Sequence, residues 1–356
     1  MQKKIILFIL FVISIHLQAQ TLEETLGSLS SSGGKAYVAP VVTAFGSNLN
    51  SGWVSKIPEP VMGAFHFDLK IVAMGSFFNS DQKSFSASGT FKFSSAQVDQ
   101  LLSASGYTPT NMGQQNYNIL KDEIQKADIQ VNFSGPTIAG NKNDYVKVNF
   151  AGQKFTANNQ QYDLKAYQWS LDKVKGFLDE LPLFPGGAVQ VTVGTIAGTN
   201  FSFRFCPEID IKDLGKFSLW GAGFLHNINS WLPTPLPVDI SAGYFYQKLK
   251  VGTIFESNAS QFGVYVGKTF GGAFALSPYA GLTMESSKST INYDFDPKQV
   301  VNGVVIPKVH VNMELEGENS TGFTVGLGIK LGLLNIIADY KVAKTKTASA
   351  GISLGI

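Results

Sequence analysis

The sequence predicts an all-β fold, an antiparallel transmembrane β-barrel of roughly 12–14 strands with a hatch-like N-terminal segment and a helix-containing insertion. Three observations lead to this prediction. The C-terminal third of the chain alternates between apolar and polar residues, the N-terminus has the pattern of an export signal, and the composition is rich in Phe and Gly but poor in charge.

The N-terminus, residues 1–19, has the pattern of a cleaved secretion signal. Lysines at positions 3 and 4 form a positive start, and the apolar stretch Ile5–Ile15 follows them. That stretch is shorter than the ~20 apolar residues of a membrane-spanning helix. We therefore predict cleavage between Ala19 and Gln20, export from the cytoplasm, and the cell outer membrane as the destination.

The composition excludes several classes of protein. The chain has 27 Phe, 12 Tyr and 36 Gly but only 15% charged residues, and its formal net charge is +2. This balance gives no electrostatic basis for binding nucleic acid. Cys206 is the single cysteine, so no internal disulfide can form. After the signal, no stretch reaches the ~18 apolar residues of a transmembrane helix. A transmembrane barrel or a secreted β-sandwich remains, and we favour the barrel.

The clearest strands lie near the C-terminus. In Thr321–Leu331 and Thr347–Ile356, apolar residues occupy every second position and small or polar residues occupy the others. A period of two is typical of a strand with unlike faces, here one toward lipid and one toward the lumen. The predicted lipid face consists of Phe323, Val325, Leu327, Ile329, Leu331, Ala348, Ala350, Ile352, Leu354 and Ile356.

From Phe217 onward, strand-like runs of about ten residues alternate with turn sequences. The predicted strands are Phe217–His226, Val238–Phe255, Gln261–Phe270, Ala273–Glu285, Ser289–Asp296, Val304–Glu314, Thr321–Leu331, Asn335–Ala343 and Thr347–Ile356. If the last strand runs toward the periplasm, counting back predicts outward turns at Glu256–Ser260 and Ser286–Lys288. The same count predicts periplasmic turns at Asn227–Pro237 and Pro297–Gly303.

The first half of the chain is predicted to differ from this meander. Residues 20–60 are polar and rich in Gly and Ser, and we assign them to a hatch-like segment. The barrel is expected to cover residues 61–356, with an insertion at about 94–184. We expect the insertion either to fold over one mouth of the barrel or to plug its lumen.

Helical signals distinguish the insertion. Ser95 is a predicted N-cap, and Ile119–Ala127 has apolar residues at helical spacing. The strongest signal is Ser170–Leu181, which carries one apolar stripe and is followed by Pro182. We therefore predict three helices in this part of the chain.

The sequence contains no motif that we assign to catalysis, a metal or a cofactor. Gly351–Gly355 formally matches G-x-S-x-G but lies in a predicted strand with no helix after it. His66, His226 and His310 are far apart and lack the spacing of metal ligands. We therefore predict that the protein is not an enzyme and has no cofactor.

Two acidic rows allow two interpretations. Asn292, Asp294 and Asp296 share one face of a predicted strand, and Asn312–Glu318 alternate in the same way on the next strand. Such carboxylates can coordinate a cation or select cations in a lumen. Solvation of a water-facing strand is the simpler interpretation, and we favour it.

Three segments carry a resemblance to a known family. They are AYVAPVVTAFGSNLNSGW at residues 36–53, FHFDLKIVAMG at 65–75, and FSLWGAGFLHNINSWLPTPLPVDISAGYFYQKLKVG at 217–252. They resemble an outer-membrane barrel family that is common in Bacteroidota and of uncharacterised function. That family is itself similar to the FadL-type transporters of long-chain fatty acids and other hydrophobic compounds. The resemblance implies an N-terminal hatch in the lumen, with Asn48, Asn50 and Trp53 as candidate ligand-binding residues.

Two functions follow as expectations. The first is a passive channel or transporter for small hydrophobic molecules, with a pocket lined by Phe and Leu beneath the hatch. The second is a non-transporting structural or surface-interaction barrel whose insertion meets a partner. The expected partners are outer-membrane lipid, a hydrophobic small molecule in the first case, and the barrel-assembly machinery during biogenesis.

Overall fold

The computed structural model of the protein describes residues 31–60, 65–194, 198–211, 215–234, 236–295, 300–301, 304–305 and 309–355. By their contacts these residues divide into two compact units. We call them the barrel unit, residues 39–79 and 181–355, and the second unit, residues 31–38 and 80–180. The predicted cleavage site at Ala19 and Gln20 lies outside the described residues.

The described residues form four α-helices and twenty strands, numbered here in chain order. The helices are α1 (Ser31–Leu49), α2 (Ser95–Ala104), α3 (Pro109–Met112) and α4 (Gln114–Lys126). The strands are β1 (His66–Ser76), β2 (Ser84–Phe91), β3 (Ile129–Pro136), β4 (Tyr145–Phe150), β5 (Gln153–Ala157), β6 (Gln160–Leu164), β7 (Tyr167–Lys175), β8 (Phe184–Gly194), β9 (Thr199–Ile211), β10 (Gly215–Asn227), β11 (Asp239–Val251), β12 (Phe255–Gly267), β13 (Phe270–Gly271), β14 (Phe274–Phe295), β15 (Val300–Val301), β16 (Val304–Val305), β17 (Val309–Glu316), β18 (Thr321–Leu331), β19 (Leu334–Val342) and β20 (Thr347–Gly355).

Ten strands of the barrel unit close into an antiparallel ring. Around the ring the order is β1, β8, β9, β10, β11, β12, β14, β18, β19 and β20, and β20 pairs again with β1. The seam between β1 and β20 runs in register from Asp68↔Gly355 to Ser76↔Thr347. Because the ring closes, its backbone N–H and C=O groups pair between strands and no sheet edge is left open. The predicted antiparallel β-barrel is confirmed.

The sheet has twelve strands, of which ten form the ring, against the roughly 12–14 predicted from strand length. The two strands outside the ring path, β13 and β17, both pair with β14. Part of the difference arises because the chain between residues 84 and 175 forms sheets of the second unit and adds nothing to the ring.

The two faces of the ring differ as the alternation predicts. On β1, Ile71 is 67% exposed whereas Lys70 is 1% exposed. The predicted lipid face of β18 and β20 points outward, since Phe323, Val325, Ile352 and Leu354 are all exposed. Gly322, Thr324, Gly326 and Gly328 of β18 face inward and are buried. The outer surface is therefore apolar, and the inner surface is small or polar.

One predicted turn is wrong. Ser286–Lys288 lies inside β14, which runs unbroken over 22 residues. Its first part pairs with β18, and its last part, from Lys288 to Phe295, pairs with β17 as a hairpin that continues past Ile291, the last residue of β14 paired with β12. The connection predicted at Pro297–Gly303 therefore leaves β14 at the opposite end of the barrel from that expected. The turn predicted at Glu256–Ser260 is also displaced, because β12 already begins at Phe255.

We name the two ends of the barrel the Ser76 end and the His66 end, after the last and first residues of β1. At the Ser76 end lie the last residues of β1 and the first residues of β8, the end of β14 that pairs with β17, and the turns around residues 252–254 and 343–346. At the His66 end lie the connection between β10 and β11 and the turn at residues 332–333. Trp231, in the β10–β11 connection, is 74% exposed.

The second unit has its own sheet and helices. Strands β2, β3, β4 and β7 form a four-stranded antiparallel sheet, and β5 and β6 form a hairpin. A capping box begins α2, in which Ser94 accepts from the Gln97 N–H and Gln97 accepts from the Ser94 N–H. The fully buried Leu101, Leu102 and Leu120 come from α2 and α4.

The insertion differs from the prediction in two ways. It begins earlier than residue 94, because β2 already pairs with β3 in the second unit. The helix predicted at Ser170–Leu181 does not form, since Tyr167–Lys175 is strand β7. The predicted helices near Ser95 and Ile119–Ala127 correspond to α2 and α4, and the N-cap is Ser94 instead of Ser95.

Candidate functional site

The lumen of the barrel is occupied by the chain that precedes β1. We call residues 39–59 the plug. At the Ser76 end, the hydroxyl of Ser76 donates to the carbonyl of Ala44. At the other end, the side-chain amide of Asn227 donates to the carbonyl of Pro58. The plug therefore passes through the ring from the Ser76 end to the His66 end.

The first half of the plug is helical, which the sequence did not predict. Helix α1 contains Pro40, and glycines at positions 33, 34 and 46, all of which disfavour a helix. From Val42 to Val54 nearly every residue is buried, with no exposed face. A helix buried on all sides carries no amphipathic stripe, so periodicity does not reveal it. Among the described residues no helix is long and apolar enough to cross a membrane.

Nine consecutive carbonyl groups of the plug, from Gly46 to Val54, each accept a hydrogen bond. Those of Gly46, Asn48 and Leu49 are bound within the plug, the last by the indole N–H of Trp53. The others accept from side chains, most of them on the ring: Lys341 binds Ser47 and Asn50, Arg204 binds Ser51 and Gly52, Lys70 binds Gly52 and Trp53, and Tyr279 binds Val54. The ring thus satisfies the end of α1 and the extended chain after it.

Arg204 binds both the plug and the neighbouring glutamine side chains of the ring. All of its described N–H groups donate: Nη1 to the Ser51 carbonyl at 3.0 Å, Nη2 to the Gly52 carbonyl at 2.7 Å, and all three nitrogens to glutamine side chains. Its Cζ also lies 3.8 Å from the centre of the Trp53 ring. A guanidinium over an indole is a favourable cation–π contact, and its planar fork suits two adjacent carbonyls.

Lys70 and Gln190 bind the plug next to Arg204. The Lys70 ammonium donates to the carbonyls of Gly52 and Trp53 and to the hydroxyl of Ser55, at 3.0, 3.3 and 2.9 Å. Gln190 donates to the Trp53 carbonyl at 3.1 Å. Gly52 has a φ of +66°, and a Cβ there would lie 2.9 Å from Val72, so a glycine is needed where the chain turns between these side chains.

On the opposite wall, Lys341 forms a buried ion pair. Its Nζ lies 2.9 Å from both carboxylate oxygens of Glu285, and the two side chains are 2% and 0% exposed. Asp339, on the same strand, accepts from the hydroxyl of Tyr279 at 3.0 Å. Each carboxylate of this wall is therefore engaged with the ring itself, while Lys341 also reaches the plug.

The three residues proposed for the hatch lie at different levels of the plug. Asn48 donates to the Phe184 carbonyl and accepts from the Ser76 hydroxyl, at the Ser76 end. Asn50 donates to the Ser286 carbonyl at 3.4 Å. Trp53 stacks on Phe245 with ring centres 4.9 Å apart, in the middle of the lumen. They attach the plug to the ring, and Asn50 and Trp53, but not Asn48, also line one space of about 10 Å³ beside the plug.

Below Trp53 the lumen opens into a cavity of about 350 Å³ at the His66 end. Its apolar lining includes Trp53, Val54, Phe67, Leu225, Phe245 and Ile337. Its polar lining is about equally extensive and includes Lys56, Asp68, Thr192, Asn200, Lys330 and Asn335. Beside the plug at the level of Asn50, the space lined by Tyr265, Asp339 and Lys341 is only about 10 Å³, about one water molecule. The plug therefore closes the lumen above the cavity.

Sequence reasoning missed the residues of the ring that bind the plug. The signal was present, because Lys70 and Arg204 are charged residues at inward positions of strands whose other face is apolar. A charged side chain that is buried inside a closed barrel needs hydrogen-bonding partners there. The pattern alone does not reveal that the partner is a backbone segment from another part of the chain.

The described residues of the two acidic rows lie mainly on β14 and β17, which pair with each other. Asn292 pairs with Asn312 in register, and Thr290 pairs with Glu314. Lys288 forms an ion pair with Glu314. The side chains of Asp294 and Asp296 lie outside the described residues. Within the residues described, no cluster of His, Cys, Asp or Glu side chains is arranged to hold a metal ion.

A model of a family of unknown function, DUF6588, matches residues 1–356. The chain belongs to this family. No curated protein matches the chain. One member of DUF6588 thus folds as a ring of ten strands with a plug in its lumen.

Several solved structures of outer-membrane proteins are similar to this DUF6588 chain over most of its length. A loop-deletion mutant of OmpT from Vibrio cholerae is 8% identical and covers 82% of this chain and 98% of its own, with a TM-score of 0.22. OccAB4 from Acinetobacter baumannii is 11% identical and covers 82% and 97%, with a TM-score of 0.19. A mutant of the monoaromatic hydrocarbon channel TodX is 9% identical and covers 90% and 92%, with a TM-score of 0.20. TM-scores this low carry no argument about function, and the barrel is defined by the strand pairing of this chain.

Proposed function

We propose that this protein is an outer-membrane barrel whose lumen is a gated channel for small solutes, closed in this structure by its own plug. The observation that carries the proposal is the way the plug is held. Its backbone binds polar side chains of the ring, and those side chains would be hydrated if the plug moved. The polar side chains of the wall can therefore bind either the plug or water. A barrel whose lumen is permanently filled would not need side chains that can bind water.

The outer surface supports a membrane location. Large apolar residues are exposed on the ring, among them Ile71, Leu282, Met284 and Phe274. A soluble barrel would cover many of these side chains, because large contiguous apolar patches are rare on soluble monomers. We therefore propose outer-membrane lipid as the partner of this surface and the barrel-assembly machinery as the route of insertion.

The lengths of the connections favour one orientation. Bacterial outer-membrane barrels have short periplasmic turns and longer outer loops. At the Ser76 end the chain makes two long excursions, the one that contains residues 80–180 and the β14–β17 hairpin. We therefore place the Ser76 end outside the cell and the cavity at the His66 end toward the periplasm.

The cavity bears on the class of solute. Resemblance to the FadL-type transporters implies hydrophobic solutes and a pocket lined by Phe and Leu. The cavity wall combines apolar side chains, among them Trp53, Leu225 and Phe245, with Lys, Asp, Asn and Thr side chains. We propose small solutes that carry a polar or charged group in preference to wholly hydrophobic ones, because the Lys, Asp, Asn and Thr side chains of the wall would lose hydrogen bonds to water beside an apolar molecule. We propose no catalytic role.

Conductance of the purified full-length protein in planar lipid bilayers tests the channel. We expect the wild type to be closed most of the time, and Trp53→Ala to open more often, because the substitution removes the contacts of Trp53 with Arg204 and Phe245. The matched control is Trp220→Ala, since Trp220 is an outward-facing tryptophan, 46% exposed. If Trp53→Ala conducts no more than the wild type, the channel proposal is wrong.

A second function has its own observation. Residues 80–180 form a compact unit, and both of their connections to the ring are at the Ser76 end. A barrel that anchors and displays this unit on the cell surface also fits that connectivity. An epitope inserted between Asn158 and Asn159, in the turn between β5 and β6, is then detected on intact cells. An epitope in the turn at residues 332–333 is detected only after the cells are permeabilised. Surface detection together with a silent Trp53→Ala variant would favour display over transport.

A further inference from the structure

We infer that Lys70, Gln190, Arg204 and Gln247 form an oxyanion-binding site, occupied in this structure by carbonyl groups of the plug. We call these four residues the donor patch. The ligand class is a small solute with a carboxylate or phosphate group, which competes with the plug for the same hydrogen-bond donors. This inference rests on the proposed channel function, because it names the solute that opens the channel.

The donor patch is contiguous on the wall of the ring. Lys70 on β1 pairs in register with Gln190 on β8, and Gln190 pairs with Arg204 on β9. Gln247 lies two strands further on, across Gly221 of β10. Because Gly221 has no side chain, Arg204 reaches over it and donates to Gln247 at 3.2 Å. Lys70, Gln190, Arg204 and Gln247 are 1% exposed or less.

The donors of the patch converge on oxygen atoms. In the present state these are the carbonyl oxygens of Ser51, Gly52 and Trp53, at 2.7 to 3.3 Å. Ammonium, guanidinium and amide groups grouped in this way are the donors that bind carboxylate and phosphate. The Nε2 of Gln247 is a further buried donor, and in the described part of the chain it makes no hydrogen bond. It supplies a donor that the plug does not use.

The charge of the patch is not balanced by the plug. No carboxylate of the described residues lies within 4.0 Å of Lys70 or Arg204, whereas Lys341 on the opposite wall is paired with Glu285. The hydrogen-bond partners of the two cations are therefore neutral, and the carboxylates that act on them, Asp68 and Asp339, do so from a longer distance. An oxyanion adds the attraction between opposite charges to each hydrogen bond from a cation, which a neutral carbonyl does not supply. An oxyanion consequently binds this patch better, group for group, than the carbonyls it would replace.

The path to the patch is the cavity on the proposed periplasmic side. Trp53 and Ser55 of the plug, and Thr192 and Ser202 of the wall, line that cavity close to the patch. Thr192 and Ser202 are two positions away from Gln190 and Arg204 on the same inward faces of β8 and β9. A solute that enters the cavity thus meets the patch where the plug covers it.

The test measures single-channel conductance in bilayers of neutral lipid, with inorganic phosphate as the probe. We expect millimolar phosphate on the cavity side to raise the open probability of the wild type. We also expect the reversal potential in a potassium chloride gradient to have the sign of anion selectivity. Neutral lipid ensures that a response comes from the free ion and not from a lipid headgroup.

Variants separate selectivity from gating. Arg204→Gln removes charge from the patch, so we expect it to open without phosphate and to lose the anion preference. Arg204→Lys retains the charge and keeps the preference. Trp53→Ala opens the channel but leaves the selectivity unchanged. Lys216→Gln, at an exposed lysine paired with Glu208, is the control for charge, and it behaves as the wild type. If Arg204→Gln does not fold, Lys70→Gln tests the same expectation.

The outcomes distinguish the two proposals. A protein that never conducts, even as Trp53→Ala, overturns the channel itself. A protein that conducts but is cation-selective, or whose openings do not respond to phosphate, overturns the oxyanion site and leaves the channel standing. Conductance that responds to phosphate equally in the wild type and Arg204→Gln also rejects the assignment to this patch.

Discussion

The guanidinium of Arg204 lies over the indole of Trp53, at 3.8 Å from the ring centre, and so joins the wall of the barrel to the plug. Phe245 stacks on the same indole at 4.9 Å. Trp53 is thus held between a cation and an aromatic ring in the middle of the lumen, where it is 3% exposed.

We expect Trp53→Ala to destabilise the folded barrel by about 3–5 kcal/mol, the range for truncating a buried aromatic residue. The loss comes from the cavity left beside Phe245 and from the cation–π contact with Arg204. Denaturant titration of the protein in lipid vesicles measures it. Trp220→Ala, at an outward position, is expected to cost less. An equal loss for both tryptophans would contradict the role given to Trp53.

We expect Glu285→Gln to cost about 3–5 kcal/mol, because it leaves the ammonium of Lys341 buried without its partner. The double variant Glu285→Gln with Lys341→Met removes both charges, so it should recover much of the loss. The same titration measures both. Lys288→Gln, on the same strand as Glu285, breaks an exposed ion pair with Glu314 of β17, and its cost should stay below about 1 kcal/mol. A double variant as unstable as the single one would show that the pair itself, and not the orphaned charge, matters.

We expect Gly326→Ala to destabilise the barrel by about 1–3 kcal/mol through overpacking. A Cβ at this position would lie 2.2 Å from the ring of Tyr279, whose hydroxyl binds the plug at Val54. The displaced tyrosine should also raise the open probability of the channel. Gly272→Ala is the matched control, because a Cβ there meets nothing within 4 Å. Normal stability of Gly326→Ala would mean that Tyr279 can move aside.

We expect Ser94→Ala to cost about 1 kcal/mol within the second unit, since it removes one half of the capping box of α2. Hydrogen exchange of the α2 amides measures the local loss. Ser103→Ala replaces an exposed serine inside the same helix and should leave exchange unchanged or slower. Faster exchange in both variants would point to an effect of serine removal that is unrelated to capping.

The sequence was sufficient to predict the barrel because the lipid face repeats strictly every second residue. The alternation in Thr321–Leu331 needs no knowledge of neighbouring strands. The prediction failed where polar residues continue a strand. In β14 the Ser- and Lys-rich run near Ser286 has the composition of a turn. There Ser287 and Ser289 are inward-facing residues of a strand that continues beyond the ring.

The false helix at Ser170–Leu181 has a local cause. Between Leu171 and Lys175 the pairing of β7 with β4 shifts by a bulge, which disturbs the alternation along the strand. Leu171 and Val174, three residues apart, then imitate the spacing of a helical stripe. The candidate site was not predictable in the same way, because Lys70, Arg204 and Lys341 bind backbone carbonyls of the plug. Every residue has a backbone carbonyl, so the residue types of the plug do not reveal these contacts.

The path of the plug has a consequence for assembly. Its helix meets the ring at the Ser76 end, its last residues meet the ring at the His66 end, and β1 starts from that second end. The polypeptide is therefore encircled by a loop of hydrogen-bonded strands to which it is itself covalently joined. A ring sealed too early would shut its own leading segment out. We thus expect β1 and β20 to pair last, when the plug already lies inside the ring.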